Sequence, residues 1–522
     1  MPSTTASPRP FRAATPPVPA WTRAALLLLA SVLVAACSGE VPEPAPREIS
    51  LAPIPFAPFS DPGALTDAWA DVDGDGDPDR FVGFDDRPAR LYRNDGLSGF
   101  TDIAPEVGIA VDRPIRSAAW GDMDADGDPD LVLGMAGDEG AALAVYRNEE
   151  GSFVEVADEV GLGLPGPAAT RQASWVDVDG DGDLDLFLAL RDAPNRLWRN
   201  DGDGFADVSA ESGLDDPRRS VGAVWFDADV DGDLDLYVAN MDGDANGLWR
   251  NDGGSFVDVA EEWGLADGGR ATADETQGTV RPCVADFDHD GDLDLYTANY
   301  GPNGLFRNPG EPGDPWPNVA AELGVAGDSR DDTCAFGDAD NDGRVELFVN
   351  GTVSGGTAFP ERLYRWTGSA YEDVWPADLA DLAASHGATW VDSDRDGDLE
   401  LALTGVADDG MHHLLQNLLR PEFAGHSLQI LVRDGTGAGT RPGAVVRLYV
   451  PGTRTVLHAG VVDTGSGYDA QSDLPLHFGL PGAQPVDVVV TIQGPDGPRQ
   501  AVVGGIDPTA FRGDAVELTI GG

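Results

Sequence analysis

The sequence has no lysine, three cysteines, five methionines and seven histidines in 522 residues. All 33 basic residues are therefore arginine, so no amine nucleophile or Schiff base is available. Positive charge is scarce against 91 acids, and the formal net charge is −58. A chain this acidic repels phosphate backbones, which excludes nucleic acid as a partner. It attracts cations instead. Long apolar runs are also missing. The longest, residues 24–36, is too short to span a bilayer comfortably.

That run follows Arg9, Arg12 and Arg23 and ends in "LVAAC" at residues 33–37. The arrangement reads as an export signal over residues 1–36. Val34-Ala35-Ala36-Cys37 resembles a bacterial lipobox, which makes Cys37 the expected lipidation site. Residues 37–50 are proline-rich and polar, as a tether should be. The expected location is the bacterial cell envelope, lipid-anchored at the outer membrane or cell surface or facing the periplasm. The membrane is then reached through the anchor alone, and the chain is expected to be a monomer.

What is abundant is one motif. "DVDGDGDPD" at residue 71 recurs in seven related forms starting at 71, 122, 177, 227, 286, 338 and 392. The starts lie 51, 55, 50, 59, 52 and 54 residues apart. Tryptophan stands two residues before the first Asp in five copies: Trp69, Trp120, Trp175, Trp225 and Trp390. An apolar strand-like run such as "LDLFLAL" follows each motif. Next comes "LYRN" or a variant of it, then a glycine turn and a segment such as "FVDV". Four short strands per unit of about 50 residues mark a β-propeller blade. The fold class is all-β, a seven-bladed β-propeller over residues 51–420 followed by a small β-sandwich or barrel over 421–522. "PIPFAPFSD" at 53–61 looks like the first strand of a unit.

Within each motif, alternating acids surround a glycine at position 6. The first three copies supply Asp71, Asp73, Asp75, Asp77 and Asp79; Asp122, Asp124, Asp126, Asp128 and Asp130; and Asp177, Asp179, Asp181, Asp183 and Asp185. The fourth and fifth supply Asp227, Asp229, Asp231, Asp233 and Asp235, then Asp286, Asp288, Asp290, Asp292 and Asp294. The sixth has Asp338, Asp340, Asp342, Arg344 and Glu346; the seventh has Asp392, Asp394, Asp396, Asp398 and Glu400. This is the first half of an EF-hand-type calcium loop, in which oxygens converge and glycine permits the sharp turn. Arg344 cannot bind a cation through its side chain, so the ligand at position 7 is assigned to the main-chain carbonyl. Calcium fits the oxygen count better than magnesium, and about seven ions are expected, one per blade.

These loops and their flanking strands resemble the FG-GAP/VCBS repeats of integrin α-chain propellers, and the whole is similar to the cartilage acidic protein-like family. Past Arg420, "RPGAVVRLYV" (441–450), "GSGYDAQSD" (465–473) and "LHFGLP" (476–481) resemble the ASPIC/UnbV domain that follows such repeats. Two features depart from that pattern: Asp469-Ala470 follows the tyrosine, and "IQGPDG" (492–497) stands where a Trp-Pro-x-Gly turn is common. The family is not an enzyme family, so the resemblance implies binding or a structural role.

Sharper motifs are few. "DTGSG" at 463–467 has no second copy to share a proton in aspartic-protease fashion. "RGD" at 512–514 runs straight into a final apolar strand. The histidines are scattered and show no zinc-site spacing. Cys283 and Cys334 lie three and four residues ahead of consecutive loops. That opposite strand parity lets cysteines on neighbouring blades meet, and in an oxidising compartment a disulfide is expected. Function therefore divides into two classes. The favoured one is a surface binding or adhesion module for an extracellular or periplasmic protein or glycan. The other is a calcium-dependent polysaccharide lyase or hydrolase, whose catalytic cluster would sit in the irregular segments 266–282, with Arg270, Asp274 and Glu275, or 310–318.

Overall fold

The computed structural model describes residues 47–521, apart from 136–141, 165–167, 203, 267–277, 328, 355–356, 381, 383–385, 406–411, 438 and 465–469. Cys37 and the signal segment lie outside the described residues, as do Arg270, Asp274 and Glu275. Among the described residues no helix is long and apolar enough to cross a membrane.

Every acidic motif is a turn between two antiparallel strands. The strands before the motifs are Ala64–Ala70, Ile115–Gly121, Thr170–Val176, Ser220–Phe226, Gly278–Ala285, Ser329–Gly337 and Ala388–Val391. Unit 3 shows the pattern. Trp175 pairs with Leu186, Leu186 with Trp198, and Trp198 with Asp207, giving an antiparallel four-stranded meander. The first strands touch one another in chain order, and the last of them packs against the first. The units thus close into a ring, the propeller expected from the repeat.

Apolar side chains fill the spaces between units rather than one central core. Trp175 packs with Val132, Leu186 and Trp198 between units 2 and 3. Trp225 packs with Phe187 and Leu236 between units 3 and 4, its ring edge-on to Phe187 at 5.6 Å. The junction that shuts the ring joins Trp69 and Val82 of unit 1 to Val391, Ala402 and Leu414 of unit 7. Each tryptophan is fully or almost fully buried, which explains its recurrence before the loops.

The N-terminal segment corrects one expectation. Residues 53–61 do not form the first strand of unit 1, and the strand found here is Leu51–Pro53. It pairs with Leu414–Asn417 as the outer strand of unit 7, and Ala57–Ser60 is a 3-10 turn. Among the described residues unit 7 takes its outer strand from this N-terminal segment. Cys283 and Cys334, on the first strands of units 5 and 6, are joined with S–S 2.02 Å and Cα atoms 6.1 Å apart.

Residues 427–519 form two further sheets. One holds Leu476–Gly479, Ser427–Arg433 and Val516–Thr519; the other holds Val456–Val461, Val445–Tyr449, Val486–Ile492 and Arg499–Ile506. Ile430, Val446, Leu448, Phe478 and Val488 fill the space between them. The result is a small sandwich.

Candidate functional site

Each loop is folded by its own carboxylates. In unit 1, Gly74 N–H donates to Asp71 Oδ1 (2.8 Å) and Gly76 N–H to Asp71 Oδ2 (2.9 Å). Asp79 opens the following strand with no exposed surface. It accepts Val72 N–H at 2.9 Å and Asn94 N–H at 2.7 Å. The glycine at position 6 has φ between 93° and 113° in all seven loops, a left-handed conformation that favours glycine. Position 4 is left-handed as well, even where it is Val230 (φ 62°).

The turn gathers oxygens at one point. Ligand atoms of Asp71, Asp73 and Asp79 lie within 4.8 Å of one another, as do those of Asp122, Asp124 and Asp130, of Asp177, Asp179 and Asp185, and of Asp227, Asp229 and Asp235; in the fifth loop the group is Asp286, Asp288 and Asp290. Buried oxygens remain without a partner at Asp227 Oδ1, Asp286 Oδ1, Asp288 Oδ1, Glu346 Oε1, both oxygens of Asp398, and Glu400 Oε1. A buried acceptor with no donor is costly. A hard divalent cation would satisfy these oxygens, and the donor set is all oxygen, so the residues fit such an ion. At position 7 the loops differ: Asp77 pairs with Arg395 and Asp292 lies near Arg447, whereas Asp398 is buried without a partner.

Burial pushes the carboxyls upward, against the pull of the backbone donors. Asp79, Asp122 and Asp392 rise to about 7, and Asp130, Asp185 and Asp286 to about 8. The folded metal-free chain therefore binds more protons than the unfolded one, whose carboxyls titrate near 3.8. Its stability falls as pH rises from that value through the folded pKa values. In chelator, the melting temperature should be higher at pH 5 than at pH 8; equal values at both would contradict the crowding of these carboxylates.

One recurring residue has a role that its sequence pattern does not disclose. The asparagine of "LYRN" reaches back to the preceding unit. Asn94 Nδ2 donates to Ser393 O (2.8 Å), Asn200 to Met123 O (3.0 Å), Asn308 to Ala228 O (3.1 Å) and Asn417 to Ala339 O (2.7 Å). Asn251 makes the same bond to Val178 O at 3.4 Å. Each acceptor is position 2 of the neighbouring acidic loop, so adjacent loops are tied together. The signal was the recurrence itself; its partner, 73 or more residues away, was not visible. Replacing buried Asn417 by alanine should cost roughly 2 kcal/mol in chemical denaturation with calcium present, because it strands a buried carbonyl. A loss below about 0.5 kcal/mol, within the range of surface substitutions, would show that the tie is not structural.

The sandwich lies over the loops. Arg441 meets Asp177 at 2.5 Å and Gly182 O at 2.9 Å, with both side chains 4% exposed. Gln493 donates to Val178 O (2.8 Å) and accepts Leu234 N–H (2.9 Å), bridging units 3 and 4. Gln429 donates to Asp392, and Arg447 to Gly291 O. Ala470–Gln471 pairs in parallel with Ala118 and Ala119, the first strand of unit 2. Between ring and sandwich lies a cavity of about 870 Å³, lined by Asp71, Asp122, Asp338, Asp392, His458, Asp463 and Glu517 among others. Asp463 of "DTGSG" accepts Ser472 N–H. In "RGD", Asp514 pairs with Arg395 and Arg512 donates to Pro421 O.

A different, unrepeated cluster sits at the strand ends remote from the loops. Tyr300 Oη donates to Asp332 Oδ1 at 2.7 Å, and His386 Nδ1 lies 3.1 Å from Asp332 Oδ2. His412 is stacked on Tyr92 and buried, a packing role.

The description "FG-GAP-like repeat" matches residues 71–133, 177–238, 227–297 and 286–349. Each match begins at an acidic loop and runs through the next loop into its following strand. Mouse cartilage acidic protein 1 is 26% identical over 524 residues, covering 92% of this chain and 78% of that protein. The human protein of that name is 26% identical over 409 residues, covering 72% of this chain and 59% of its own length. The chain carries FG-GAP-like repeats and is similar to cartilage acidic protein 1 along most of its length. Among solved structures, an Agrocybe aegerita lectin that recognises non-reducing terminal N-acetylglucosamine is similar at 18% identity and a TM-score of 0.37, covering 59% of this chain and 79% of that one. A likeness at that level bears on neither ligand nor activity in this FG-GAP-repeat protein.

Proposed function

We propose that this is an exported, lipid-anchored calcium-binding protein that acts at the cell envelope as a binding or adhesion module for a glycan or protein. Calcium is structural, about seven ions holding the loops of the ring, and the C-terminal sandwich is an ASPIC/UnbV-like domain. The observation that carries the reading is the convergence of carboxylates at one end of each unit, with buried oxygens left unsatisfied there. The sandwich covers those loops, so the ligand is met by the outer surface of the sandwich or by the opposite end of the ring.

The second reading, a calcium-dependent polysaccharide lyase or hydrolase, is favoured by the Tyr300–Asp332–His386 cluster. An acid paired with imidazole and phenol is the equipment proton transfer requires. A glycan array probed with the calcium-loaded protein separates the two. Calcium-dependent retention without chain cleavage supports the module; release of new chain ends from a polysaccharide, lost in His386→Ala, contradicts it.

A further inference from the structure

Three of the seven histidines, scattered in sequence, lie where the sandwich rests on loops 5 and 6, His477 near enough to His458 for their charges to interact. His289 is position 4 of loop 5, His458 lies on the strand Val456–Val461, and His477 on Leu476–Gly479. The rings of His289 and His458 are 5.4 Å apart between centroids. His458 is 4% exposed, and Phe478 packs edge-on to it at 5.1 Å.

The hydrogen bonds fix where the lone pairs are. His458 Nδ1 faces Ala459 O at 3.1 Å. A carbonyl offers no proton, so Nδ1 carries the hydrogen and Nε2 carries the lone pair. Asn341 Nδ2 donates to Gly397 O at 2.8 Å, which turns Asn341 Oδ1 toward His477 Nε2 at 2.7 Å. His477 Nε2 is then the donor, and its lone pair sits on Nδ1. Both of these nitrogens, and His289 Nε2, are buried without a partner. Three buried imidazole nitrogens are thus left without partners in this interface, two of them held by an oxygen on the far side of the ring. That far-side oxygen is the usual support of a metal-ligating histidine.

We propose that His289, His458 and His477 form a site for a borderline-soft divalent cation of the zinc class, bridging the ring and the sandwich. Imidazole ligands select zinc, copper or nickel, whereas the all-oxygen loops select hard cations. The two sites are chemically distinct within one interface. Burial holds His458 down to about 4 and His477 to about 3, so both are neutral at pH 7, the form that binds metal. Water completes the coordination, and the bound ion staples loop 5 to the sandwich.

The test uses the full-length protein with its loops saturated by calcium and copper(II) as the probe. Electron paramagnetic resonance distinguishes nitrogen from oxygen ligands by their couplings. One equivalent of copper should show imidazole nitrogen coupling, and zinc should displace it. His458→Ala should remove that signal and weaken zinc binding more than about tenfold. Should His458→Ala fail to fold, His289→Gln replaces only a loop side chain and must give the same loss. An oxygen-only spectrum overturns the site, and so does nitrogen coupling that persists in the folded variants. The readout stands whether or not the loops take calcium, because loop carboxylates cannot supply nitrogen coupling.

Discussion

Stripping calcium from the folded protein is expected to lower its melting temperature by on the order of 20 °C, and restoring calcium to recover it. The size follows from mass action. A cation that binds only the folded loop contributes about 2.7 kcal/mol at a hundred times its dissociation constant. Several such loops acting on one closed ring together rival the roughly 5–15 kcal/mol that stabilises a typical domain. The ring does not lose one loop in isolation, because asparagine ties cross five of the seven junctions and apolar clusters fill the other two. Magnesium should recover much less of the loss, since it resists giving up water for a protein cage. A chelator that leaves the melting curve unchanged would contradict the role given to the loops.

The second large effect concerns the bond between Cys283 and Cys334. It closes 51 residues of chain between neighbouring units. In the chain-entropy treatment a loop of that length is worth about 4 kcal/mol, most of it through the unfolded state. Cys283→Ala with Cys334→Ala should therefore lower stability by roughly 2–5 kcal/mol without altering the fold of the calcium-loaded protein. Thiol titration of the denatured, unreduced protein should find neither of these cysteines free; two free thiols would contradict the bond.

Much of the architecture was legible because it repeats. Tryptophan, acidic loop, apolar run and "LYRN" recur in order, and each marks one turn or strand of a unit. What was not legible depended on distant partners. Leu51–Pro53 is too short to declare itself a strand, and its register is set by Leu415–Asn417, over 360 residues later. Asp79 reads as the end of a loop but is the first residue of a strand, buried by two backbone donors. Arg441, Gln429 and Gln493 look like ordinary surface residues of a β-domain until that domain lands on the loops. The histidines escaped for the same reason: sequence spacing cannot show that His289 and His458, 169 residues apart, bring their rings together.

Counting bound metal tests the central claim most directly. Native mass spectrometry of the full-length protein, loaded with calcium and freed of excess, should show about seven calcium ions per chain, one for each acidic motif. A mass showing none, or only one or two, would contradict the reading of these motifs as metal clamps.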